Sequence, residues 1–173
     1  THVFWVDPAE VRRNLMQSPT VADAQVAVRW EIPMVQILIQ EREPALVWQQ
    51  GETETWIDVQ GRVMELRGER PDLLRLVVEG EVGAIPERIE TDIVTGALQI
   101  HELIPAVNLL RYSSANGLGM IDPGGWNVWF GTGTDMPEKV LIYNAIIADL
   151  QERGIAVDAV FVINPDAPWY TRR

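Results

Sequence analysis

The chain has no cysteine. Disulfides, thiolate nucleophiles, zinc–thiolate sites and iron–sulfur clusters are all excluded with it. Histidine is almost as scarce. His2 lies at the terminus, and His101 sits beside Glu102 in a predicted helix, where a boundary position suits it better than a base or a ligand. Metal binding would then need carboxylates at the short, ordered spacing of a calcium loop, and no such run occurs. Positive charge is also in deficit. Fourteen Lys and Arg face 25 Asp and Glu, for a net charge of −11, and a phosphate backbone or an anionic lipid surface calls for the opposite sign. Lys139 is the only lysine. No apolar run approaches the roughly 20 residues that span a bilayer. There is no G-x-S-x-G, H-E-x-x-H or G-x-x-x-x-G-K-[ST] motif. No catalytic residue and no cofactor site stand out in these residues.

What is present is ordinary globular material. Hydrophobic residues make up 47% of 173, enough for a core that needs no covalent staple. "DPAEVRRNLMQSP" predicts a short helix, with Asp7 as N-cap, Pro8 at the first helical position and Pro19 ending it. Ala24, Val26, Val28 and Trp30 alternate along a first strand. Val35, Ile37 and Ile39 alternate along a second, which predicts a half-buried hairpin. Strands follow on either side of Gly51. Asp58 and Gly61 take the first and last places of a type I turn, and "PDLLRLVVEG" predicts another strand. "PERIETDIVTGALQIHELIPAVNLL" reads as helix, with Ile89, Ile93, Leu98, Leu103 and Val107 on one side and Gly96 weakening it. Short strands follow around Asn116-Gly117 and Pro123-Gly124. "TDMPEKVLIYNAIIADLQERG" is the clearest helix, capped by Asp135, opened by Pro137 and ended by Gly154. The last strand runs from about Val157 to Ile163, followed by a proline-broken extended tail.

Three stretches invite a functional reading. "WFGTGTDMPEK" has the outline of a phosphate loop: a strand, G-x-G, then a helix start carrying Lys139. Asp135 and Glu138 place negative charge where the phosphate would sit, so a plain turn and cap fit better. Trp126 and Trp129, among seven tryptophans, have odd spacing and cannot share one face of a strand. One of them is therefore a candidate for exposure. "EREP", Glu41 to Pro44, sets charges into an apolar strand. Glu41 and Glu43 continue the face of Ile37 and Ile39, and Arg42 lies opposite. The charges mark where a buried strand leaves one core, so the stretch is read as a hinge. This places modules at 1–43 and 44–173.

The order of these motifs resembles the bacterial cell-division protein family FtsQ, called DivIB in Gram-positive bacteria. The likeness runs through Leu15, Pro19, Val21, Ala24 and Val26, then Trp30 and Pro33. It continues through Ile37, Ile39, Glu41, Arg42, Pro44 and Ala45, and then the D-x-x-G pair Asp58 and Gly61. "GWNVWFG", the helix with its early Lys139 and a final strand extend it over almost the whole chain. The resemblance implies an α+β fold: a partial POTRA module of helix plus β-hairpin, then an FtsQ-type β-rich domain. In that domain a long C-terminal helix packs on a mixed or antiparallel sheet. We expect two packed sheets with helices on one side.

The resemblance also implies a non-catalytic scaffold, anchored by a single membrane span and lying outside the cytoplasmic membrane at the division septum. Its partners would be FtsB (DivIC) and FtsL, which it links to the septal peptidoglycan synthase. The binding surface would be the final edge strand, which takes up a strand of the partner. Phe161, Ile163, Asn164, Trp169 and Tyr170 are the candidate partner-binding residues. Pro19, Val21, Glu41, Arg42, Pro44, Asp58, Gly61 and Lys139 are family-motif positions with structural roles.

Two departures stand out. The chain begins just before the second POTRA helix, so the first strand, the first helix and the span are expected to be missing. The family's final strand carries an I-D-L-R-like run, where this chain has "VFVINP", so contacts through that arginine do not transfer. A POTRA-type transport module and a ligand-binding domain using the Gly131–Lys139 loop are the alternatives.

Overall fold

The computed structural model describes residues 6–29, 31–80 and 83–173. His2 and Trp30 lie outside the described residues. The chain divides into two compact units, Thr1–Glu43 and Pro44–Arg173. The fold is α+β.

The first unit holds a helix α1 (Pro8–Leu15) and an antiparallel hairpin of β1 (Val21–Arg29) and β2 (Met34–Glu41). The Asp7 carboxylate accepts from the Ala9 N–H at 2.9 Å and caps α1, as its place before Pro8 predicts. α1 packs on β1, where Val21 and Ala24 are buried. β2 departs from the sequence expectation: Ile37 and Ile39 are 46% and 50% exposed. Alternation by itself says which side chains share a face, not whether anything covers that face. Here a two-stranded sheet with one short helix against β1 leaves β2 uncovered.

In the second unit the mixed sheet that was expected is a single nine-stranded one. Its strands are β3 (Leu46–Gln50), β4 (Thr53–Ile57), β5 (Val63–Met64), β6 (Leu74–Val78), β7 (Leu109–Ser113), β8 (Gly117–Ile121), β9 (Asn127–Gly131), β10 (Val157–Phe161) and β11 (Trp169–Arg172). The order is β11-β10-β9-β8-β7-β6-β3-β4-β5. The pairs β3–β6, β6–β7 and β9–β10 are parallel, and the remaining pairs are antiparallel. Helix α2 (Thr91–Leu103) joins β6 to β7, and α3 (Met136–Glu152) joins β9 to β10. Parallel crossovers share one hand, which brings both helices to the same face. One core results: Leu46, Leu76, Leu110, Leu118, Val128 and Val160 from the sheet pack with Ile93, Ala97, Ile100, Val140, Tyr143 and Leu150 from the helices.

Both helices differ in detail from the sequence reading. α2 is shorter, with Ile89 before it and Val107 beyond it. Its buried stripe is Ile93, Val94, Gly96, Ala97 and Ile100, while Leu103 is exposed. Gly96 has a packing reason, because a Cβ there would come within 2.8 Å of the Gly133 carbonyl oxygen. α3 has no side-chain cap: the Asp135 carboxylate pairs with Lys139 instead.

Candidate partner-binding surface

The motif residues around Pro19, Arg42 and Asp58 are built into local joints. Arg42 donates its main-chain N–H to Thr20 O at 2.8 Å, and its guanidinium to Pro19 O and Val21 O at 3.2 and 3.0 Å. The arginine of "EREP" thus ties the end of β2 to the turn that starts β1. Pro19 and Val21 supply the carbonyls it holds, and Glu41 pairs in register with Val21. Glu41 and Glu43 are exposed and Pro44 opens the second unit. Asp58 is buried, and its Oδ1 accepts from the Gln60 and Arg62 N–H groups at 2.9 and 2.8 Å. Gly61 closes that turn with φ +81°.

Lys139 is 2% exposed. Its Nζ donates to Thr132 O at 3.1 Å and lies 2.9 Å from Asp135 Oδ1. The lysine in the phosphate-loop outline therefore holds its own loop closed. Lys139→Met keeps the aliphatic stem and leaves the Thr132 carbonyl without this donor. We expect it to lower stability by roughly 1–3 kcal/mol, read as a lower urea midpoint.

Trp126 and Trp129 take opposite faces, as their spacing requires. Trp126 is on the helix side, where its Nε1 donates to the Tyr143 hydroxyl at 3.0 Å. That hydroxyl donates in turn to Asp122 Oδ2 at 2.5 Å. Burial first, and then the bond to Asp122, pushes the Tyr143 pKa above the ordinary tyrosine value. Trp129 is 7% exposed on the helix-free face, with the Arg111 guanidinium 5.5 Å from its ring centre. Arg111 also donates to Glu79, and to Asn127 Oδ1 at 2.5 Å. His101 Nδ1 lies 2.7 Å from Val107 O, tying the end of α2 to the following loop. A groove of about 600 Å³ in this unit is lined by Leu103, Leu109, Ile121, Val140 and Tyr143 among others.

The C-terminal residues form the open end of the sheet. The segment read as a tail is a strand: β11 pairs antiparallel with β10, with Phe161 opposite Trp169 and Val160 opposite Tyr170. β10 is therefore an interior strand and β11 is the edge. The run Trp-Tyr-Thr carries high strand propensity, a signal that the flanking Pro165 and Pro168 obscured. Phe161 and Trp169 stack on the helix-free face, with ring centres 3.8 Å apart and planes 7° apart, and Trp169 is 52% exposed. Tyr170 turns to the other face and packs against the core.

Ile163 lies just past β10, against Gly131. Asn164 belongs to the connecting turn: its Oδ1 accepts from the Asp166 N–H at 3.1 Å and its carbonyl from the Ala167 N–H at 3.2 Å. The structure thus joins Phe161 and Trp169 into one feature and separates Ile163, Asn164 and Tyr170 from it. Arg172, missed by the sequence reading, completes the edge with its guanidinium 5.8 Å from the Tyr170 ring centre.

No family model matches the chain. Among curated proteins it is similar to the cell division protein FtsQ of Cereibacter sphaeroides, with 33% identity over 90 residues. The match takes in 50% of this chain and 29% of that protein's length, so the chain spans well under half of the relative.

Proposed function

We propose that this chain, which is related to the FtsQ/DivIB family of cell-division proteins, is the extracytoplasmic part of a non-enzymatic divisome scaffold. It binds FtsB- and FtsL-type bitopic proteins and links them to septal peptidoglycan synthesis. The first unit corresponds to a partial POTRA module and the second to the FtsQ-type β domain. In the whole protein a single span anchors both to the cell membrane at the septum.

The observation that carries this reading is the edge strand β11 at one end of the nine-stranded sheet. An edge strand presents unpaired N–H and C=O groups, which an extended partner segment can take up while side chains set the specificity. Trp169 is the large, half-exposed aromatic beside that edge, the residue type that most often dominates binding energy. β5 at the other end spans only two residues, and its neighbour Arg62 is already bridged to Arg88.

The test is affinity capture of the FtsB-type protein encoded by the same genome. Trp169→Ala is expected to weaken capture by about 30-fold, the size of a typical hot spot. Removal of Trp169–Arg173 is expected to abolish it. That deletion spares Val162, which is fully buried, so the helices and the remaining sheet stay folded by circular dichroism. Undiminished capture by the deletion variant would remove β11 as the site.

A further inference from the structure

The hydrogen bonds at the sheet end fix which backbone groups of β11 are free. Successive residues of a strand turn their N–H and C=O groups to opposite edges, so one bond sets the phase of a strand. In β10 the Val162 N–H donates to Trp129 O on β9 at 2.8 Å. Val160 and Val162 therefore face β9, and Ala159 and Phe161 face β11. Their register partners are Thr171 and Trp169. β11 itself is regular, and its own bond gives the same phase: past the β-bulge between Val157 and Ala159 on β10, which turns Ala156 toward β11, the Arg173 N–H donates to Ala156 O at 3.3 Å, so Trp169, Thr171 and Arg173 all face inward. Tyr170 and Arg172 are left with N–H and C=O directed away from the sheet. Pro168 shares their phase and has no N–H to offer.

Resting on the strand-addition reading above, we infer that the partner segment docks in one register. It takes its main-chain bonds from Tyr170 and Arg172, Pro168 ends the ladder, and one partner side chain lies against the Phe161–Trp169 stack. Proline is tolerated at position 168 because its missing donor faces outward and costs β10 nothing. The same proline opposes a two-residue slip, which would set a partner carbonyl against a ring that cannot donate. A one-residue slip would turn every partner side chain to the wrong face. Trp169 and Thr171 lie on the helix-free face, and Tyr170 and Arg172 on the helix face. The partner residue neighbouring Trp169 therefore meets an aromatic surface, and the matching chemistry is an apolar or aromatic side chain in an extended segment.

Residue-resolved amide hydrogen exchange reads this register directly. It is measured on the whole chain, with and without the extracytoplasmic segment of the FtsB-type protein from the same genome. In the free chain the Tyr170 and Arg172 amides should exchange at least tenfold faster than those of Trp169 and Thr171. On binding, Tyr170 and Arg172 should gain at least tenfold protection. Arg172→Pro, which removes only the outward donor, should weaken binding at least tenfold, whereas Arg172→Ala should stay within about threefold of the parent. If the segment binds but protection appears elsewhere, or if Arg172→Pro binds like the parent, the register is wrong and strand addition survives at another position. If the segment does not bind at all, strand addition at β11 fails and the register falls with it.

Discussion

Gly61→Ala is expected to destabilise the second unit by roughly 2–6 kcal/mol. Two costs combine. The residue has φ +81°, a conformation that strains any side chain by about 1–3 kcal/mol. A Cβ built there would also fall 2.1 Å from the Ile89 carbonyl oxygen, a backbone overlap that only movement of the chain relieves, at a further cost of about 1–3 kcal/mol. The neighbours cannot give way freely, because the Ile89 N–H donates to Gly61 O at 2.7 Å and the Asp58 N–H to Arg62 O at 3.1 Å. Gly51→Ala is the control. It has φ +62° with nothing within 4 Å of the added methyl, so it bears the conformational cost alone. Thermal melts of the two variants separate the terms. Equal melting temperatures would mean that the close approach to Ile89 does not constrain the turn.

Phe130→Ala is expected to cost about 3–5 kcal/mol, the range for emptying a fully buried aromatic site. Phe130 is on β9 at 0% exposure, and its ring meets Tyr143 of α3 edge to face, with centres 5.8 Å apart and planes at 81°. It therefore fills the space between the sheet and the helix that leads to β10. Tyr143 is also the hub that holds Trp126 and Asp122, so the cavity opens beside a hydrogen-bonded clamp. Urea unfolding followed by tryptophan fluorescence should show a lower midpoint with an unchanged slope. Phe130→Leu, which leaves a smaller void, should recover more than half of the loss. A change in slope without a change in midpoint would place the effect in the unfolded ensemble instead.

Much of the local architecture was legible because its causes are local. Asp7 before Pro8 predicted the start of α1, and the capping bond to the Ala9 N–H is there. Gly61 in D-x-x-G marked a turn that the φ angle confirms. The odd spacing of Trp126 and Trp129 placed them on opposite faces before any fold was known. Asp135 shows the limit of such rules. It stands at a cap position, yet Lys139 four residues later claims its carboxylate, and a buried ammonium is a stronger demand than a terminal N–H.

The candidate surface was less legible. Pro165 and Pro168 read as breakers of a tail, since a proline excludes a residue from a sheet interior. An edge strand tolerates proline where the missing donor faces out, but that phase depends on β10 and its bonds to β9, more than thirty positions back in the chain. Burial of β2 was misread for a related reason. The alternation of Val35, Ile37 and Ile39 is a property of the strand, whereas cover is a property of its neighbours.

By itself the sequence determined what short-range chemistry controls: the absence of thiols, the acidic charge, the turns and the cap of α1, and the order of helices and strands as far as β10. Only the tertiary structure decided that nine strands form one sheet, that both long helices share one face, and that β11 is the edge with Phe161 stacked on Trp169. These depend on pairings between distant segments, whose energies come from contacts that periodicity and propensity do not encode.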